Sequence, residues 1–275
     1  AGTTLRSLAC DAGVLAAHDG ASSLIASVNG NAAFSNASTV LGNVTLEVGG
    51  DLFVSQDSRF DAYQAGFPPG EGPGAGQTGG YIGTDASAGG HGGNGADGLN
   101  PGGAAYGSLT QPTEWGSGGR NHFTPGGYGG GAVRLAAGGT LTLNGVVDCN
   151  GGPSIIQGWG SSGAGAGGSV YLSCGTLAGT GSISANGGGG GVGGGGGRVA
   201  LHYGASTFTG TVTAFGGDAS KPGGAGTIFI RAGSDPGGVV LIDNEGPAGA
   251  PTPLTFAAPV ELTVRRGARA VLAAG

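Results

Sequence analysis

The stretch GGSVYLSCGTLAGTGSISANGG, residues 167–188, places two runs of alternating residues between glycine pairs. Val170, Leu172 and Cys174 share one face of the first run, and Ile183 and Ala185 share one face of the second. A period of two is that of a strand with one buried face. The same grammar recurs in GGAVRLAAGGTLTLNGVVDCNGG (130–152), GGRVALHYGASTFTGTVTAFGG (196–217) and GAGTIFIRAGSDPGGVVLIDNEG (224–246). Val133, Val170, Val199 and Ile228 hold equivalent places, 37, 29 and 29 residues apart. Such spacing marks a repeat whose units are too thin to bury a face alone and must stack. In the second strand of each unit Val147 and Cys149 align with Ile183 and Ala185, then with Val212 and Ala214. Ser173, Ser182, Ser184, Thr211 and Thr213 take the outward positions.

Nearer the N-terminus, NVTLEVGGDLFVSQDSRFDAYQAG (43–66) carries the same alternation in Val44, Leu46, Val48, Leu52 and Val54. The expected organisation is therefore N-terminal strand units over 1–62, a glycine-rich insertion over 63–130, glycine-rich strand repeats over 131–246 and C-terminal strands continuing the stack over 247–275. All four read as one continuous domain. The fold class expected is all-β: a parallel, solenoid-like stack of two-strand units with glycine-rich returns.

The returns explain the composition. Of 275 residues 70 are glycine and only 9% are charged. Glycine adds no side chain to a core and loses the most backbone entropy on ordering, so something repetitive has to offset that cost. The apolar share of 38% and the scarcity of charge argue against charge-driven disorder. A near-pure glycine chain can adopt the extended helix of three residues per turn, and such helices can lie side by side, bonding N–H to C=O between them. The returns at about 151–168, 187–197 and 216–226 are expected to form such a polyglycine II layer beside the strands. Collagen needs a strict triplet and much proline, and neither is present.

Most chemistry is excluded. The formal net charge is −6, with one lysine (Lys221) and nine arginines, which argues against nucleic acid as a partner. No run approaches 18 apolar residues and no charged leader precedes an apolar stretch, so no membrane span or signal peptide is read. Methionine is absent even at position 1, and the chain is expected to be a processed product and a piece of something longer. Cys10, Cys149 and Cys174 form no CxxC pair; Cys149 and Cys174 are expected to be small buried residues rather than a disulfide. There is no GxSxG or HExxH, and GxGxxG matches carry no weight without a βαβ context. A polysaccharide-acting enzyme would need aligned carboxylates, and Asp148, Asp218 and Asp243 fall in non-equivalent places. Neither a catalytic residue nor a cofactor is therefore assigned.

His18, His91, His122 and His202 are far apart and are expected at the surface or in turns. GGNGADGLN (92–100) matches a calcium nonapeptide with Asp97 and Leu99, but that site class is built from tandem copies and this copy is single, so no metal site is assigned. Thr140, Thr142, Thr207, Thr209, Thr211 and Thr213 have the Thr-x-Thr spacing of ice-binding arrays, which good strand residues also explain. Asn36-Ala37-Ser38 and Asn43-Val44-Thr45 are sequons in form. Aromatic residues gather around the insertion: Tyr81, Tyr106, Trp115, Phe123 and Tyr128, with Trp159 in the next return. Tyr106, Trp115, Tyr128 and Trp159 are the candidate binding residues, able to stack on sugar rings if exposed or to wedge the glycine layer against the strands if buried.

The phrases SISANGG (182–188), TVTAFGG (211–217) and GAGTIFIRAG (224–233) resemble the glycine-rich repeat regions of very large secreted or surface proteins of bacteria, over most of residues 40–255. A looser, compositional similarity links the chain to glycine-rich adhesin tips of phage tail fibres and to glycine-rich ectodomains of some receptor kinases; it implies polyglycine helices. Joined tail to head, ARAVLAAG and TTLRSLACDAG read as consecutive strands. The expected function is that of an extracellular or cell-surface structural protein, non-enzymatic, assembled with copies of itself head to tail into a filament or tandem array. The alternative is an adhesin module that binds glycans or a receptor through the insertion.

Overall fold

The computed structural model describes residues 3–16, 23–77, 84–156, 158, 160–246 and 248–272. Among them the chain is all-β, without a helix, and most strands lie in parallel sheets. The N-terminal part runs through nine short strands: β1 (Thr3–Leu5), β2 (Leu8–Asp11), β3 (Val14–Ala16), β4 (Ser23–Val28), β5 (Ala32–Ser35), β6 (Thr39–Leu41), β7 (Asn43–Val48), β8 (Leu52–Val54) and β9 (Arg59–Asp61). After the insertion come β10 (Ala132–Leu143), β11 (Val146–Asp148), β12 (Ser169–Ala178), β13 (Ser182–Ser184), β14 (Gly190–Val192), β15 (Arg198–Ser206), β16 (Thr211–Thr213), β17 (Ala219–Lys221) and β18 (Thr227–Ala232). The chain ends with β19 (Val239–Asp243), β20 (Thr252–Leu254), β21 (Glu261–Arg265) and β22 (Ala270–Leu272).

The repeat read from the sequence is the pairing register. Leu24, Val44, Val133, Val170, Val199 and Ile228 are successive partners across six parallel strands. A second sheet stacks Leu15, Val40, Phe60, Val147, Ile183 and Val212 in the same manner. These inward residues form one core, in which Leu52, Val54, Leu135, Leu141 and Phe60 are fully buried and the rings of Phe34 and Phe60 meet edge to face at 5.0 Å. Slipping a strand by one residue would turn its whole apolar face outward, which is why the period-two pattern fixes the register. Cys149 packs fully buried beside Ala185 and Ala214 just past the ladder, as expected.

Two expectations need correction. Units contain three strand segments, not two: β4, β5 and β6 are separate, and in later units the first two segments fuse into β10, β12 and β15. The pairing of β10 with β12 shifts between Ala137 and Thr140, where Gly138 and Gly139 oppose the single Gly175. That bulge accounts for one of the eight extra residues in the 37-residue spacing, and the longer return before Ser169 supplies the rest. The second correction concerns the C-terminal strands. β19 pairs with β18 antiparallel, through a turn in which Gly238 has φ +85°, and β21 then pairs with β19 in parallel, so sheet growth continues in the reversed direction. β20 and β22 form a separate two-stranded sheet.

Between strands the chain runs out and back through glycine. Along 163–168 the backbone N–H groups turn in a three-residue cycle. Gly163 and Ala166 donate to Arg120 and Ser117, Ala164 and Gly167 to Val192 and Gly195, and Gly165 and Gly168 to Gly152 and Cys149. Residues 193–197 repeat the cycle: Gly193 and Gly196 donate to Lys221 and Gly224, Gly194 and Gly197 to Gly188 and Ala185, and Gly195 to Gly89. An extended chain with three residues per turn and no internal hydrogen bonds offers its donors in this way. Close approach excludes side chains here, since a Cβ on Gly194 would fall on the carbonyl oxygen of Gly165 and one on Gly195 on that of Gly93.

The insertion is bound to these returns rather than set apart from them. Gly89 N–H donates to Ala164, Gly92 N–H to Gly196 and Gly224 N–H to Asn94, at 2.8–2.9 Å. A further stretch, 105–115, crosses the outer face of the first sheet. There Ser169 Oγ donates to the Glu114 carbonyl at 2.6 Å, and His202 Nε2 meets the Thr110 carbonyl at 2.7 Å. Beneath it Tyr171, Ala200, Phe229, Val240 and Ile242 make a second buried cluster, so this end of the sheet is covered on both faces.

Candidate binding site

Stretch 105–115 brings two of the four candidate residues together. Tyr106 and Trp115 line an open groove of about 310 Å³ with Phe67, Pro73, Thr113 and Glu114. Phe67 and Trp115 stand with ring centroids 5.6 Å apart at an interplanar angle of 56°, giving the groove an aromatic wall. The Tyr106 hydroxyl donates to the Trp115 carbonyl and hydrogen-bonds Ser117 Oγ at 2.8 Å, and Ser117 Oγ accepts the Gly74 N–H at 2.9 Å. Tyr106 is thus tied to three parts of the insertion. Burial pushes its phenol up to about 12, so it stays a neutral hydrogen-bonding group. Burial also pushes the Glu114 carboxyl upward, but backbone donors, that of Thr113 foremost, outweigh it and hold the acid below its usual range. The groove therefore offers ring faces beside a carboxylate.

Tyr128 is 45% exposed and lines no part of this groove; its carbonyl accepts the N–H of Gly152. Trp159 and Tyr81 lie outside the described residues. Phe123 is exposed and makes an edge contact with His122, centroids 4.3 Å apart.

Sequence reasoning missed the polar residues under the groove. His91 is fully buried rather than at the surface, and His202 is also buried. His91 Nδ1 pairs with the Gly167 carbonyl at 2.8 Å, which assigns the proton to Nδ1, and Nε2 has no hydrogen-bond partner among the described residues. Burial, aided by the nearby Arg198 charge, depresses its pKa to about 4, so the ring is neutral at pH 7. Its ring centroid lies 4.8 Å from that of Tyr106. The histidines were unreadable because a glycine-rich setting gives no apolar pattern to mark burial.

No family model, curated protein or solved structure matches the chain.

Carboxylates outside the groove differ from expectation in one respect. Asp61 of β9 and Asp148 of β11 are register partners, and Arg59 Nη2 lies 3.1 Å from Asp61 and 3.6 Å from Asp148. Burial, with Asp61 alongside, raises the Asp148 pKa. The pair ends there, since the next residue in the ladder is Ser184. Asp97 takes the N–H of Gly102 at 2.8 Å, which closes a turn of the insertion. Among the described residues no group of three or more His, Cys, Asp or Glu side chains could hold a metal ion, and no helix is long and apolar enough to cross a membrane.

Proposed function

We propose that the chain is a structural module of an extracellular or cell-surface fibre: a β-solenoid whose returns form polyglycine II rods, joined to further copies end to end. The observation that carries this reading is the six-strand register ladder, in which each unit pairs in parallel with the next. Among the described residues β1, β2 and β3 each pair with a strand on one side only, and their other side is where a further unit or copy would pair. Such edges template association unless they are blocked. The reversal at β19 means that a second copy seated with its β21 against β1 would meet it antiparallel. The role is mechanical and needs no catalysis. Its load path is the hydrogen bonding between units, in the sheets and in the glycine layer alike.

Sedimentation velocity and electron microscopy over a range of concentrations test the proposal. Ala9→Pro is the informative variant. Leu8 and Ala12 donate their amides inward to Asn31 and Ser35, so alternation turns the Ala9 N–H outward, and proline removes only that donor. The expected result is concentration-dependent assembly that Ala9→Pro weakens. Uniform monomers at every concentration in both proteins would overturn end-to-end joining.

A second reading, glycan binding, is favoured by the wall of Phe67 and Trp115 beside Glu114. Trp115→Ala should then abolish retention on a glycan array while leaving the far-UV spectrum unchanged, and retention without loss rejects it.

A further inference from the structure

Behind the aromatic groove lies a second cavity, of about 350 Å³, which shares Tyr106 with it and is lined also by Gly107, Leu109, Arg198, Leu254, Thr255 and Val271. Its floor is charged. Arg198 is only 5% exposed, and it is held by Nε donating to the Tyr106 carbonyl at 2.7 Å and Nη1 donating to Thr227 Oγ1 at 3.1 Å. A guanidinium carries five N–H groups and does not lose its charge in a protein. No carboxylate forms an ion pair with Arg198 among the described residues, and Nη2 has no acceptor among them. Glu114 acts on it only at a distance, since its Oε2 is turned to the Thr113 N–H. Burying a cation with no counter-charge in contact is unfavourable, and the strain shows in the pKa of Arg198, which burial lowers to about 10 although Glu114 opposes the shift. The walls are different in kind. Leu254 is buried, Leu109 packs against the second cluster, and Val271 and Thr255 are exposed at the mouth.

We propose that this cavity binds a monocarboxylate carried on a small apolar body, with the carboxylate on Arg198 and the body between Leu109, Leu254 and Val271. A carboxylate suits the free edge of the guanidinium, because planar N–H···O pairs are the geometry in which arginine binds most strongly. Inorganic oxyanions would leave the apolar walls unused, and a neutral ligand would leave the charge unmatched. The source of such a group is either a free small acid or the C-terminus of an apolar peptide. The proposal is independent of fibre assembly and of glycan binding.

Calorimetry on the full chain tests it with four probes: hexanoate, hexanol, N-acetyl-leucine and inorganic phosphate. Hexanoate binding with hexanol at least tenfold weaker is expected, since charge-assisted hydrogen bonds are worth a factor of about ten or more. N-acetyl-leucine binding more tightly than hexanoate would point to a peptide terminus, and the reverse order to a free acid; either supports the site. Arg198→Gln should reduce hexanoate affinity about tenfold or more. Should Arg198→Gln misfold, Thr255→Trp, at the exposed mouth, should block hexanoate while keeping the wild-type melting profile. Equal binding of hexanoate and hexanol, binding of phosphate alone, no binding by a folded wild-type protein, or hexanoate binding untouched by Thr255→Trp each overturns the proposal.

Discussion

Gly194→Ala isolates the packing of the glycine layer. Gly194 is buried, its N–H donates to Gly188 at 2.9 Å, and its carbonyl accepts from Gly217 at 2.8 Å. A methyl at this position would fall on the Gly165 carbonyl, whose oxygen also accepts from Gly188. Neither neighbour is a side chain that can swing away; both are backbone with hydrogen bonds of their own. The methyl therefore forces strands of the layer apart. Overpacking of a dense interior costs about 1–3 kcal/mol, and each hydrogen bond stretched at the same spot adds about 1 kcal/mol. The gain from restricting the unfolded chain offsets only about 0.4–1 kcal/mol. A net loss of about 3 kcal/mol follows from those terms, and at about 2–4 °C per kcal/mol for a chain of this size the Tm should fall by roughly 6–12 °C. Gly158→Ala is the control, because a Cβ there meets nothing within 4 Å. Differential scanning calorimetry compares the two. If Gly194→Ala melts with Gly158→Ala, the returns are not packed backbone to backbone and the account of the layer is wrong.

Two further outcomes are expected. Asn186 Oδ1 accepts the N–H of Phe215 at 2.8 Å while its own N–H donates to Asn150 Oδ1 at 2.6 Å, so Asn186→Ala should cost about 1–3 kcal/mol by stranding a donor. Asn186→Asp, which keeps the acceptor, should recover part of that in urea melts; equal losses would show that the link between units is not what the side chain provides. His91 gives a pH signature. Its folded pKa of about 4 lies below the ordinary 6.5, so the unfolded chain takes up the proton first, and stability that is full above pH 6.5 is lost as the pH falls toward 4. At about 1.4 kcal/mol per unit the loss approaches 3 kcal/mol. His202, also depressed by burial, adds in the same direction. Urea midpoints measured from pH 7 to 4.5 should fall less steeply in His91→Asn, and parallel curves would refute the assignment.

The strand ladder was legible because Val133, Val170, Val199 and Ile228 carry both signals that register requires, a period of two within each run and a recurrent spacing between runs, 29 residues for the last two steps. The third strand segment was hidden. Gly175 and Gly204 look like turns in the sequence, yet the chain passes them extended within β12 and β15. The reversal at β19 did have a signal, since Asp235-Pro236-Gly237-Gly238 between two apolar runs is hairpin chemistry, but alignment on the repeat masked it. The insertion resisted reading for a deeper reason. A strand announces its partner through side chains, whereas a glycine-rich run presents only N–H and C=O, and nothing in its letters says that Gly89 faces Ala164 or that Gly92 faces Gly196. Of the candidate site, the aromatic residues stood out by type, and Tyr106 and Trp115 meet. Their polar support did not, because Ser117, His91 and Arg198 are brought there by backbone contacts scattered along the chain.

The order in which those contacts appear along the polypeptide bears on how the molecule can be made. Gly89 waits for Ala164, Gly92 for Gly196, and Asn94 for Pro251. A ribosome therefore delivers these residues before their later hosts exist, whereas other parts of the insertion close early, as Gly90 does on Gly74 and Gly118 on Glu71. The strands from β1 to β9 can close on one another as they emerge, but Gly89, Gly92 and Asn94 stay without these partners through the synthesis of later units, and loop closures of that length slow folding. Assembly from the N-terminus can be sequential for the sheets alone; the glycine layer is completed last, from the far end of the chain.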